Sequence, residues 1–158
     1  MSLTNIAVAL ALILSGQISP AKKPTKSVRV GDLLVTATRV WRPQDLSNKI
    51  VVYPDRDHLV AVEVTVKNIS ARISQTNLLL TSLKVKPDAE YPWYPWMRIP
   101  SGVAKPPNLY QLLPGEESTG GYVFEVRNGT TPVALVLELR GQRSSIELAG
   151  VLETESAK

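Results

Sequence analysis

The stretch LVAVEVTV, residues 59–66, decides the fold class. Val60, Val62, Val64 and Val66 fall on one side of an extended chain, because successive side chains of a strand point to opposite faces. Ala61, Glu63 and Thr65 take the other side. Branching at Cβ stiffens these side chains against a helix and suits them to a pleated, half-buried surface. The spacing predicts a strand with its valine face in a core.

The same period of two extends outward in both directions. In GYVFEVRNG, residues 121–129, Tyr122, Phe124 and Val126 alternate with Val123, Glu125 and Arg127, and Asn128-Gly129 supplies a tight-turn signal. PVALVLELRG follows at residues 132–141, with Val133, Leu135, Leu137 and Leu139 on one face. These two runs read as a hairpin. Further strands are expected at Leu33–Trp41, Leu78–Lys86 and Ser145–Leu152, and no window carries a helical stripe of useful length. Prolines such as Pro43, Pro54, Pro87, Pro114 and Pro132 fall between the strand runs, where they break no ladder. Short strands separated by proline-rich turns predict an all-β protein, an immunoglobulin-like antiparallel β-sandwich of about six to eight strands.

A chain of 158 residues suits one domain with short extensions. It has no cysteine, so neither a disulfide framework nor a thiol nucleophile is possible. IAVALALIL, residues 6–14, is too short to span a bilayer but suits the apolar core of a secretory signal peptide, with Ser19-Pro20-Ala21 as a small-x-small cleavage site. The expected organisation is a signal peptide over 1–21, a basic linker over 22–27, the sandwich over 28–152 and a flexible tail over 153–158. That order places the mature chain outside the cytoplasm, with membrane contact only through an uncleaved leader. The net charge of +4 is matched by Lys22, Lys23, Lys26 and Arg29, and the remainder is nearly balanced. An extended nucleic-acid-binding face is therefore not expected.

VRVGDLLVTATRV, VAVEVTVKNIS and LLPGEESTGGYVFEV occur in that order along the chain. Together they resemble a family of bacterial secreted and cell-surface domains of unknown function with a telokin-like immunoglobulin fold, over roughly residues 28–140. The resemblance implies that fold and an extracytoplasmic setting, and it implies no reaction. Within these motifs Gly31-Asp32 is expected to start the first strand, Asn68 to tolerate the left-handed conformation that a strand-to-loop turn often needs, and Pro114-Gly115-Glu116 to turn the chain into the Phe124 strand. The chain departs from the family pattern in a proline-aromatic insert from Tyr91 to Pro107.

That insert begins YPWYPWMRIP at residues 91–100. Its period of three matches a polyproline II segment, which would set Tyr91 and Tyr94 on one ridge and Trp93 and Trp96 on another. Preorganised Tyr and Trp bury large areas while keeping a polar tip, as recognition surfaces require. Arg98 could add a cation–π or ionic contact, and Tyr110 lies further along. The same aromatics could instead cap the open end of a sandwich, and the sequence leaves both readings open. The candidate binding residues are Tyr91, Trp93, Tyr94, Trp96, Arg98 and Tyr110.

Catalytic chemistry has little to use. His58 is the sole histidine, flanked by Asp55 and Asp57, and no GxSxG nucleophile turn occurs. One histidine cannot fill a structural zinc site. A calcium site would have to combine Asp55 and Asp57 with the distant Asp88 or Glu90. Glu116 and Glu117 are adjacent, so on a strand they face opposite ways and are poor acid–base partners. Asn68-Ile69-Ser70 and Asn128-Gly129-Thr130 match the glycosylation sequon, but read more simply as turn residues. The expected function is a non-enzymatic extracytoplasmic interaction module that needs no cofactor or metal. Its partner would be a protein or a surface polymer, bound through loops that include 91–98. The alternative is an accessory envelope subunit or chaperone-like chain that binds through a sheet edge.

Overall fold

The computed structural model describes residues 26–43, 58–74, 76, 79–94, 105–149 and 151. The leader at 1–21, most of the linker, and the tail lie outside them, as do Asp55, Asp57, Trp96 and Arg98. Eight strands are described: β1 Lys26–Val30, β2 Leu33–Trp41, β3 His58–Asn68, β4 Leu80–Lys86, β5 Ala89–Pro92, β6 Glu117–Val126, β7 Thr131–Leu139 and β8 Gln142–Glu147. They form two four-stranded antiparallel sheets, β1-β2-β3-β6 and β5-β4-β7-β8. The inner faces meet in one core that holds Val60, Val62, Val64 and Val66 of β3, Tyr122, Phe124 and Val126 of β6, and Leu135, Leu137 and Leu139 of β7. Each of these buried side chains contributes about 1.5–3 kcal/mol by area.

The connectivity is that of an immunoglobulin domain. β2, β3, β4, β5, β6, β7 and β8 occupy the places of strands A, B, C, C′, E, F and G, and β1 adds to the free side of A. The place of strand D falls between β5 and β6, an interval that includes residues outside the described set.

This connectivity overturns the hairpin expected at Asn128-Gly129. β6 pairs with β3 in one sheet, and β7 pairs with β4 and β8 in the other. The turn closes locally, with the Thr130 hydroxyl donating to the Arg127 carbonyl at 2.8 Å and Gly129 at φ 74°. It then carries the chain across the core. A two-residue hairpin would place Pro132 where β6 needs a donor, and proline has none. Pro132 instead sits opposite Val85, beside the register shift between Lys84 and Val85 in β4. The hairpin of this region is β7–β8, closed by Arg140-Gly141. Accordingly β8 starts at Gln142, ahead of the expected strand at Ser145.

Two other boundaries differ from expectation. Gly31-Asp32 is the turn of the β1–β2 hairpin and not the start of the first strand, which already runs from Lys26 inside the interval read as linker. In β2 the register shifts between Ala37 and Arg39. Thr38, the extra residue, donates its hydroxyl to the Glu63 carboxylate at 2.9 Å. The shift keeps Val40 in the core and turns Arg39 and Trp41 outward, the guanidinium 4.4 Å from the indole centroid.

Contacts bridge the two sheets along β1 and β8 and cover β6 at Gly120-Gly121. Along β1 and β8, Lys26 pairs with Glu147 at 2.8 Å, the Ser144 hydroxyl donates to the Arg29 carbonyl, and the Gly31 amide donates to Gln142 Oε1. The Lys26 hydrogen bond, and then its charge, hold the Glu147 carboxyl below its usual range. Along β6, the Gly121 amide donates to the Lys105 carbonyl at 2.9 Å. The backbone of 105–107 crosses so close to Gly120 that a Cβ there would lie 2.3 Å from the Lys105 carbonyl oxygen. Only glycine fits beneath that crossing.

Tyr122 links the two sheets on this side, its ring 5.2 Å from that of Trp93 in an edge-to-face contact. Burial pushes its phenol up to about 12, while the hydrogen bond with the Thr81 side chain pulls the other way. The folded state thus holds this proton more tightly than the unfolded chain, whose tyrosines ionise near pH 10. The stabilisation is complete below about pH 10 and is lost as pH rises toward 12. Two pH units correspond to roughly 2–3 kcal/mol. Urea midpoints between about pH 9 and 11.5 should fall steeply for the parent chain and less steeply for Tyr122→Phe; parallel slopes would remove Tyr122 as the cause.

Candidate functional site

Loops that follow β1, β3 and β7 gather at one end of the sandwich with the segment that precedes β6. Asn68 organises this end. It ends β3, is fully buried, and uses every hydrogen-bonding position of its amide. Nδ2 donates to the Arg72 carbonyl at 2.7 Å and the Leu112 carbonyl at 2.8 Å. Oδ1 accepts from the Ser70 amide at 3.0 Å and the Ser70 hydroxyl at 2.8 Å. Its main chain donates to the Glu116 carbonyl and accepts from the Gly115 amide. Asn68 does not use the left-handed conformation that it could tolerate; among the described residues other than glycine, only Gln111 and Arg140 have positive φ. The spacing Asn68-x-Ser70 was the available signal, because an Asn side chain commonly bonds the backbone two residues on.

The loops tied by Asn68 are also bonded to each other. The Ser74 amide donates to the Leu112 carbonyl, and the Gln111 amide donates to the Ser74 carbonyl. The Leu113 amide donates to Glu116 Oε2 at 2.8 Å, so the Pro114-Gly115-Glu116 turn is closed by a side chain as well as by the backbone. The Ile69 amide reaches back to the Asp32 carbonyl and ties in the β1–β2 turn. Five large apolar side chains are exposed among the described residues. Four of them, Ile69, Ile73, Tyr110 and Leu113, lie on these two loops, between 40% and 55% exposed, and the fifth is Leu80 on β4.

Beside this apolar rim a cleft of about 740 Å³ opens between the β3–β4 loop, the β1–β2 turn and the β7–β8 turn. Arg72, Arg140 and Asp32 are its charged lining residues. A smaller groove of about 280 Å³ lies on the second sheet, with Trp93, Pro92 and Leu80 along it. The Arg143–Glu90 pair, at 2.6 Å, and the Ser82 hydroxyl bonded to Glu90 occupy its polar side. Arg143 and Glu90 therefore engage each other, and Glu138 is the third charged residue of the lining.

The aromatic candidates separate. Tyr91 lies on β5, where the period of two and not of three governs, and at 5% exposure it belongs to the core. Trp93 is partly buried against that core, and its amide donates to the Thr81 carbonyl at 2.8 Å. Tyr94 packs with Trp41 on Leu59, Ala61 and Val123, on the outer face of the first sheet. Tyr110 alone of the described candidates is largely exposed, and it stands on the rim at the loop end. Trp96 and Arg98 lie outside the described residues.

His58 opens β3 opposite Val126, with Asp55 and Asp57 outside the described residues. Asp88 pairs with Lys84 at 3.9 Å and Glu90 with Arg143, so both carboxylates have cationic partners. Among the described residues no group of three His, Asp or Glu side chains could hold a metal ion. Glu116 serves its turn, and Glu117 pairs with Lys67 at 3.1 Å.

Asn68→Asp keeps the shape of the side chain but replaces its two donors with a charge facing two carbonyls. The Ser70 donors would still serve one oxygen, but a buried charge held against two carbonyls costs several kcal/mol, so the variant should lose about 3–5 kcal/mol in urea unfolding; a loss below about 1 kcal/mol would contradict the organising role.

No protein-family model matches the sequence, and no curated protein matches it. Among solved structures, MPT63, a secreted protein of Mycobacterium tuberculosis, matches with a TM-score of 0.49 and 17% identity, over 79% of this chain and 91% of that one.

Proposed function

We propose that this chain is a non-enzymatic, extracytoplasmic interaction module that grips a protein partner with the loop end of its sandwich. One observation carries the reading. Among the described residues, four of the five exposed large apolar side chains lie on two loops that hydrogen bonds tie together, and a grouped, exposed apolar rim marks an interaction surface. Rigid loops lose little entropy on binding. By fold-level analogy, the β3–β4 and β7–β8 loops are the B–C and F–G loops that variable domains of antibodies use for recognition. Tyr110 belongs to this surface. Tyr91, Trp93 and Tyr94 belong to the packing of the sandwich and not to this surface.

The extracytoplasmic setting rests on the apolar run at 6–14 and the small-x-small site ending at Ala21. An accessory chain that pairs through a sheet edge has less to draw on. β1 and β8 bond to each other through side chains, β6 is crossed at Gly120 by the 105–107 segment, and β5, the remaining edge strand, is only four residues long and ends in a proline.

Burying the exposed part of each rim side chain is worth about 1 kcal/mol. The double variant Ile69→Ser, Leu113→Ser should therefore weaken partner binding by about 2 kcal/mol, roughly thirtyfold, without lowering thermal stability. The full chain and this variant, immobilised in parallel, would be exposed to the secreted and envelope proteins of the host cell. A discrete protein retained by the parent and lost by the variant is expected. Identical retention by both, or retention of polysaccharide alone, would contradict the reading.

A further inference from the structure

We propose that the cleft at the loop end takes a carboxylate-bearing segment of polypeptide, clamped between Arg72 and Arg140. This rests on the loop end being a protein-binding surface, and it adds the chemistry of what is bound. The cleft, at about 740 Å³, has the size of a ligand site. Its two arginines line it from different loops, Arg72 after β3 and Arg140 between β7 and β8.

Neither arginine is used by the fold. Lys26, Lys67, Lys84 and Arg143 each have a carboxylate partner, whereas no ion pair among the described residues involves Arg72 or Arg140. The backbone around Arg72 is nonetheless fixed, its carbonyl accepting from Asn68 Nδ2 and from the Ser70 hydroxyl. The guanidinium is thus displayed from a held loop.

Arg140 is the more telling residue. It stands at φ 51° and Gly141 at φ 78°, the pair of positive values that a type I′ hairpin turn requires. Asn, Asp or Gly suits the first of these positions, and a long side chain there is held in a sparsely populated conformation. A fold selected for stability alone would place Asn at 140. A role in the cleft that Arg140 lines would account for an arginine at this position.

The remaining lining decides between kinds of anion. Asp32 brings a negative charge, and Leu33, Ile73, Pro114 and Leu139 make apolar walls. A pure polyanion gains nothing from apolar walls and is repelled by Asp32. A polypeptide offers a carboxylate to the arginines, amide donors to Asp32, and side chains to the walls and the rim. Arginine also matches a carboxylate with two parallel hydrogen bonds.

The test uses a fluorescein-labelled random copolymer of glutamate and tyrosine, titrated with the full chain and followed by anisotropy. Binding that weakens with salt is expected. Arg72→Gln and Arg140→Asn should each weaken it about tenfold or more, while Lys86→Gln, at the far end of the sandwich, should leave it unchanged. Arg140→Asn should at the same time raise the melting temperature by about 2 °C, because strain is relieved. Four results would overturn the proposal: no binding of the copolymer, equal binding by both arginine variants, a lower melting temperature for Arg140→Asn, or equally tight, arginine-dependent binding of alginate. If partner capture depends on Ile69 and Leu113 while copolymer binding ignores both arginines, the protein-binding surface stands and the acidic clamp falls.

Discussion

The buried side chain of Asn68 is the constraint on which the loop end depends. A polar group without solvent must find partners inside the protein, and this amide finds all four in two loops and at its own strand end. Each bond is worth about 1 kcal/mol net, but their common origin matters more. One side chain fixes the 69–74 loop and the 111–116 segment to the same strand. Everything displayed there, the four exposed apolar side chains and the backbone of Arg72, inherits that position.

The aromatic-proline stretch acts elsewhere. Tyr91 faces the core from β5, Trp93 meets Tyr122 edge to face, and Tyr94 joins Trp41 on the outer side of the first sheet. One short segment therefore packs against both sides of the first sheet. A chain with no disulfide to hold its layers together gains stability from such packing. It also explains why the exposed apolar residues, among those described, are aliphatic apart from a single tyrosine.

Much of the sandwich was legible because it follows a strict period of two. The valines of β3, the aromatics of β6 and the leucines of β7 all point inward, as their alternation requires. The pairing was less legible. Asn128-Gly129 and Arg140-Gly141 are both short turns with positive φ, yet the former crosses between sheets and the latter makes a hairpin. Both end in glycine, but only Arg140-Gly141 has the two positive φ values of a type I′ hairpin, a difference the sequence does not display, and Pro132 was the one residue that argued against a hairpin at the former. The register shift at Thr38 was illegible, since one inserted residue leaves no mark on the composition of β2. The loop end was missed for a related reason. Ile69, Ile73 and Leu113 look like ordinary apolar residues in sequence, and only the fold leaves them exposed side by side with Tyr110 on loops that bond to each other. Arg140 was passed over because its significance lies in a dihedral angle, which the sequence does not display.

The central claim is that one buried amide makes this loop end a rigid platform. Native-state hydrogen exchange followed residue by residue tests it most directly, at the amides of Ile69, Ser74, Gln111, Leu113 and Gly115, which all have partners in the loop end. The account predicts that these loop amides exchange together, with protection within about 1–2 kcal/mol of the amides of β3. Exchange at the rate of an open chain, while β3 stays protected, would mean that the loops move independently of Asn68 and would contradict it.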